Sequence, residues 1–263
     1  MYFKKKNIGI LHSGELRTIG NIKSNYEAYT VNGAEKKDMS KFKNVINKCL
    51  LEEDEDTYVL DLIPISELHH MMKVTTSLCD ILRLDDSVKE FFKKQGIFWH
   101  GYNGGGLDGV NSNKVFKKLD QILDFVKEAN PALMPIANLL EDFYQVVSCC
   151  FGMELDPAFK DIITKFNSKV EEVEMYLSSD EFLNTFDKGV RLSLGWKGHN
   201  LRFYLITQLD KNRLPLGIFS EQTSEAAHKS MKPTLNRYLP NEHKNIHSDR
   251  LLKAVSSYSS MRM

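Results

Sequence analysis

Apolar side chains recur at three- and four-residue intervals through the middle of the chain, and each such run predicts a helix with one buried face. Val115, Leu119, Ile122 and Val126 form one stripe, and Leu133, Ile136, Leu140, Phe143 and Val147 form a second. Phe159, Ile162, Ile163, Phe166, Val170, Val173 and Leu177 form a third. Asn130-Pro131 and Asp156-Pro157 each pair a capping side chain with a proline whose fixed φ suits the first helical position. Ser179-Asp180-Glu181 opens a shorter helix that Gly189 can close. Helices of this length, antiparallel and sequential, make a bundle with its own core.

Upstream, a helix is predicted to start at Ser66 and to bury Leu68, Met71, Met72, Thr75, Leu78, Cys79 and Leu82. Phe42, Val45, Ile46, Cys49 and Leu50 predict another over 39–51, ended by the acidic run at 52–56. TYVLDLIPI (57–65) has the β-branched and aromatic content of a strand bounded by Pro64. Asp61 sits in the middle of it, ahead of a helix; α/β sheets place ligand-binding groups towards the C-terminal part of such a strand, although a solvent-facing strand carboxylate fits the same pattern. Residues 7–35, punctuated by Gly9, Gly14, Gly20 and Gly33, read as short extended pieces and turns, as though the chain begins partway into a fold. Gly104 to Gly106 form a connecting loop with no Walker spacing around it.

Downstream, Leu201, Leu205 and Leu209 pack inward from a helix that begins near His199. A last helix runs from Ser220 as N-cap to Lys232 before Pro233. Glu221, Glu225, His228 and Lys232 share one stripe of it, which is either a solvated face or a site. The rest is a basic, serine-rich tail that reads as disordered.

With 42% hydrophobic and 27% charged residues among 263, the chain has the composition of a folded globular protein. Its 35 basic and 35 acidic side chains cancel, so binding to nucleic acid requires a local patch. Lys229, Lys232, Arg237, Lys244, Arg250 and Lys253 could supply one, extended by Lys197 and Arg202. Cys49, Cys79, Cys149 and Cys150 show no metal-binding spacing and read as reduced thiols. His243 and His247 lack the further ligands of a zinc site. A hydrolase built on His69, His70 or His100 is disfavoured, since adjacent helical positions point about 100° apart and ELHH is not a metalloprotease motif. No run has signal-peptide character or reaches the ~20 apolar residues of a membrane span, so the expectation is an intracellular protein without a membrane partner.

VLDLIPISELHHMMKV (59–74) resembles a block of transposon-encoded proteins of invertebrates, related to DDE-type transposases with an RNase H-like core. LHSGELRTIGNIKSNY, FWHGYNGGGLDG with NKVFKKLD, and LGIFSEQTSEAAHKSMK are similar to other blocks of that family, in the same order from about residue 10 to about residue 240. The resemblance implies an α-rich α+β fold, a partial RNase H-like core of few strands with a large helical insertion. Residues 1–90 would form the partial core, 91–195 the insertion, 196–240 the closing helices and 241–263 the basic tail. It further implies three carboxylates holding two Mg²⁺ or Mn²⁺ ions for DNA strand transfer. Asp61 would be the second acid and Glu225 the third, both metal ligands, with Glu221 competing for the third place. His228, Lys229, Lys232 and Arg237 would meet DNA phosphate, which would place the protein in the nucleus. The first acid belongs ahead of the glycine-rich segment at 9–20, and no acidic residue precedes Glu15. The expectation is therefore an N-terminally truncated, catalytically inactive remnant, or else a non-catalytic module that binds nucleic acid or protein.

Overall fold

The computed structural model describes residues 17–62, 65–101, 105–186 and 189–219. The chain divides into two units, 1–219 and 220–263, and every described residue belongs to the first. The helix expected over 220–232 and the basic tail lie outside the described residues.

The N-terminal part differs from the extended pieces and the strand expected there. α1 (Ile19–Val31) starts from a reciprocal cap: the Asn21 N–H donates to the Thr18 hydroxyl at 3.1 Å and the Thr18 N–H donates to the Asn21 amide oxygen at 3.3 Å. This cap takes the place of an amphipathic pattern, because α1 buries only Ile19 and Tyr29. Gly20 makes no turn. It lies in the first helical turn, where its N–H donates to Glu55 O at 2.9 Å and an added Cβ would stand 3.1 Å from Glu55.

The helix expected over 39–51 is a 3₁₀ helix, Lys36–Phe42, followed by irregular chain. Lys43 and Asn44 both adopt positive φ, a left-handed pair that stops helical propagation. The strand expected over 57–65 reduces to a single bridge between Thr18 and Tyr58, after which α2 (Val59–Leu62) closes one helical turn. With no second strand beside it, a β-prone sequence has no ladder to join. Among the described residues the β pairing is that bridge and one between His100 and Gly106. The α-rich part of the expected fold is present there, and a sheet of RNase H type is not.

The remaining helices follow the apolar stripes, except that the 115–126 run breaks at Lys118 into two helices and the 201–209 run breaks at Tyr204, the earlier of its two helices starting at Gly195. α3 (Glu67–Leu82) begins after Ser66 as expected, with Met71, Thr75, Leu78, Cys79 and Leu82 buried. Then come α4 (Asp86–Lys94), α5 (Gly109–Lys117), α6 (Leu119–Ala129), a 3₁₀ turn Pro131–Leu133 and α7 (Met134–Cys150). α8 (Phe159–Tyr176), α9 (Asp180–Phe186), α10 (Gly195–Phe203) and α11 (Leu205–Asn212) complete the body. Of the two predicted proline starts, Pro131 opens the 3₁₀ turn, whereas Pro157 lies in a turn ahead of α8, whose N-cap is Ala158; Asp156 accepts from Ala158 N–H at 2.7 Å.

α7 packs along α8, while α3 packs on α5, α7 and α10. Phe143 of α7 sits among Phe116, Phe151 and Phe166, with ring centroids 5.5–6.3 Å apart. One apolar cluster runs from Ile65 to Leu216, across positions 90 and 195. Near its end Gly217 N–H donates to Gly152 O at 3.1 Å, and a Cβ at 217 would fall 2.2 Å from that oxygen. All four cysteines are free thiols; Cys79, Cys149 and Cys150 are buried and Cys49 is half-buried. Among the described residues no helix is long and apolar enough to cross a membrane.

Candidate functional site

Asp61 sits on the helical turn α2, where the family resemblance expects a strand. Its Oδ2 accepts from Lys211 of α11 in a direct ion pair, and the same ammonium lies 5.9 Å from the centroid of the Tyr58 ring. The expected companions Glu221, Glu225, His228, Lys229, Lys232 and Arg237 lie outside the described residues. Among the described residues no three His, Cys, Asp or Glu side chains converge as metal ligands. The described part of the expected Mg²⁺ or Mn²⁺ donor set is thus one carboxylate already paired with an ammonium. A two-metal centre needs several carboxylates offered together, and the other acids of the expected set lie outside the described residues.

A concave site lies on α3 instead. Away from its buried stripe, α3 presents His69, Met72, Lys73, Thr76 and Asp80 at helical spacing. These side chains line a cleft of about 370 Å³, completed by Gly105, Gly106, Leu107 and Lys197 of α10. Its volume falls in the ~300–1,000 Å³ range of small-ligand sites.

Backbone geometry holds the glycine side of the cleft. His100 N–H donates to Gly106 O at 3.1 Å and Gly105 N–H donates to His100 O at 3.2 Å, which holds Gly105 and Gly106 beside His100. Gly105 has φ +81°, which an L side chain adopts only with strain. The loop is tied to α3 because Leu107 N–H donates to the Thr76 hydroxyl at 3.0 Å, and Leu107 itself is buried. Just beyond, Asp108 caps α5 by accepting from Asn111 N–H at 2.8 Å. Asn111 accepts from Phe98 N–H through Oδ1, so its Nδ2 is the donor towards Asp108 Oδ1 at 2.8 Å and His100 Nε2 at 3.1 Å. His100 Nε2 also lies 3.5 Å from Asp108 Oδ2, so His100, Asp108 and Asn111 form one polar cluster beside the cleft.

The two ends of the cleft differ in charge. At one end Asp80 accepts from the Trp99 indole N–H at 2.9 Å and pairs with Arg83 at 3.3 Å, while Arg83 stacks 3.9 Å from the Trp99 ring centroid. Burial raises the Asp80 pKa above the ordinary carboxylate value, opposed by the Trp99 hydrogen bond and by the charges of Arg83 and Lys73. At the other end Lys197 Nζ donates to the His69 carbonyl at 3.2 Å, and Lys73 lines the wall. Lys197 thus belongs to this cleft and Arg202 does not. Arg202 is held by Glu171 at 2.9 Å and Glu174 at 3.7 Å on α8.

Sequence reasoning took the apolar stripe of α3 and passed over Lys73, Thr76 and Asp80. The available signal was their spacing with His69, a polar row continuing along a helix whose other face is core. No family model, curated protein or solved structure matches this chain.

Proposed function

We propose that this chain is a transposase-derived protein that acts by binding and does not catalyse strand transfer. Ancestry is supported by the four sequence blocks in their family order, with 91–195 as the helical insertion and Asp61 as a remnant of an RNase H-like core. The observation that carries the loss of catalysis is the ion pair between Asp61 and Lys211. A carboxylate whose charge is balanced by an ammonium must give up that pair before it can ligate a cation, which weakens the metal site. DNA is the partner this ancestry favours, met through His228, Lys229, Lys232 and Arg237.

The test is thermal unfolding of the full chain with and without Mn²⁺, beside Asp61→Asn and Glu225→Gln, because an ion that binds only the folded state raises Tm. The expected result is no Mn²⁺-dependent rise that both substitutions abolish; such a rise would restore the catalytic reading. Duplex DNA binding followed by fluorescence anisotropy should weaken steeply with salt and ignore Mn²⁺. Absence of binding at low salt would remove DNA as the partner.

A further inference from the structure

We propose that the surface formed by the C-terminal ends of α4 and α5 binds single-stranded nucleic acid, with backbone phosphates on Lys94, Lys114, Lys117 and Lys118 and a base on Phe98. The inference depends neither on transposase ancestry nor on residues 228–237. Two bonds bring the helix ends together: Lys118 Nζ donates to Gln95 Oε1 at 2.7 Å and Lys114 Nζ donates to Gly96 O at 2.8 Å. Lys94 precedes Gln95 in the last turn of α4. At ~100° per residue, Lys114, Val110 and Lys117 share a ~60° arc of α5, outside the arc of Asn111, Ser112, Val115 and Phe116 that is buried.

Neighbouring groups do not neutralise these lysines. The acceptors that hold Lys114 and Lys118 are a carbonyl and a side-chain amide, which leave both ammonium charges in place and N–H donors to spare. Lys94 and Lys117 are exposed and, among the described residues, make no hydrogen bond or ion pair. Lys93 is offset by Glu90 at 3.7 Å. Asp108 caps the opposite end of α5, while Asp120 and Asp124 are exposed on α6 and make no ion pair among the described residues. Four ammonium groups therefore stand against the two α6 carboxylates, the local patch that a chain of zero net charge needs to meet a polyanion.

Helix C-termini favour lysine, which accounts for the clustering but leaves these N–H donors available. The aromatic group beside them selects the partner. Phe98 N–H donates to Asn111 Oδ1 at 3.1 Å, which sets Phe98 next to the first turn of α5, and its side chain is 49% exposed. A base can stack on such a ring only when it is unpaired, so an exposed ring flanked by lysines fits a single strand. A membrane would need a broader apolar face than Phe98 and Val110 offer, because α5 buries Val115 and Phe116 in the core.

The experiment is fluorescence anisotropy of the full chain with a labelled oligothymidylate and with a duplex of the same length, beside co-sedimentation with phosphatidylserine vesicles. The variants are Lys94→Gln combined with Lys117→Gln, and Phe98→Ala. Lys37→Gln combined with Lys41→Gln is a control of equal charge change, on residues that pair with Glu35 and Asp38 in the N-terminal stretch. The oligothymidylate should bind at low salt, and the Lys94 and Lys117 substitutions should lower the slope of log Kd against log salt by about 1.4, two phosphate contacts at ~0.7 each. Phe98→Ala should weaken binding by about fivefold or more with the slope unchanged, the mark of a lost base stack. The control should bind as the parent does. Duplex binding through residues 228–237 would survive all of these substitutions, so the two readings fail separately. The proposal is overturned if the oligothymidylate does not bind, if either surface variant binds it as the parent does, if the control weakens it equally, or if Lys94 and Lys117 hold only the vesicles. Unliganded Tm, measured on each variant, verifies that the folded state is the one compared.

Discussion

Between Ile65 and Leu216 a continuous cluster of buried apolar side chains links α3 to α11, whereas the described residues of 17–62 bury Ile19, Tyr29 and Val45 and add none of them to that cluster. What holds the earlier stretch is mainly polar: the Thr18–Asn21 cap, the backbone bonds from Ile19 to Thr57 and from Gly20 to Glu55, and the Arg17 bond to Lys43 O. Such bonds contribute only about 1 kcal/mol each net of water, while each fully buried large side chain contributes ~2–3 kcal/mol. The two regions should therefore open separately, the N-terminal stretch by local fluctuation and the body as one cooperative unit.

The sharpest way to break the comparison is to damage the shared core. Phe143→Ala removes the ring that touches Phe116, Phe151 and Phe166, and should cost about 3–5 kcal/mol by urea unfolding. A value near zero would mean that the body is not one packed unit. Gly217→Ala comes next, since its Cβ would overlap the Gly152 carbonyl at 2.2 Å; a loss of about 1–3 kcal/mol is expected from the shift this forces.

Asp85 gives a smaller effect. It caps α4 by accepting from the Ser87 and Val88 N–H groups, and Asp85→Ala should cost about 1 kcal/mol. Burial acts to raise its pKa, but hydrogen bonds from Ser87, Asn130 and Val88 outweigh it and hold the carboxyl below its ordinary value. A depressed acid stabilises the fold above its unfolded pKa and loses that contribution as pH falls through the folded one. Asp85→Asn retains a capping oxygen without the titration, so the parent's advantage over it in Tm should shrink below about pH 4, near the ordinary aspartate pKa. An advantage constant from neutral to acid pH would contradict the assignment.

Thr18→Ala should have the smallest effect on global unfolding. Loss of the cap should raise amide hydrogen exchange over α1 by several-fold while the body's exchange stays unchanged, the result that most directly separates the regions. Equal acceleration in α7 would show that the two are coupled.

The same contrast explains what could be read from the chain. In α3, α7 and α8 a 3.6-residue apolar period coincides with deep burial, so Leu78, Phe143 and Phe166 were legible as core. Before residue 62 the information lies in caps, left-handed residues and backbone bonds, none of which leaves an apolar period. TYVLDLIPI has strand composition, but composition cannot supply the partner strand, and one bridge to Thr18 is all that forms in the described chain. The site was legible by parts. Lys197 was a candidate cation, while Lys73 and Asp80 become candidates only when the glycine loop is brought across the face of α3.

The distribution of free thiols gives the molecule a built-in chemical read-out. Cys49 belongs to the N-terminal stretch and is half-buried, while Cys79, Cys149 and Cys150 lie within the body's interior. Burial pushes the Cys79 thiol well above its usual ionisation range, and a thiol that stays protonated is a poor nucleophile. A maleimide or aromatic disulfide reagent should thus modify the chain in two phases, one equivalent fast and the rest at the rate of body opening, reporting the solvent exposure of both regions with no introduced label.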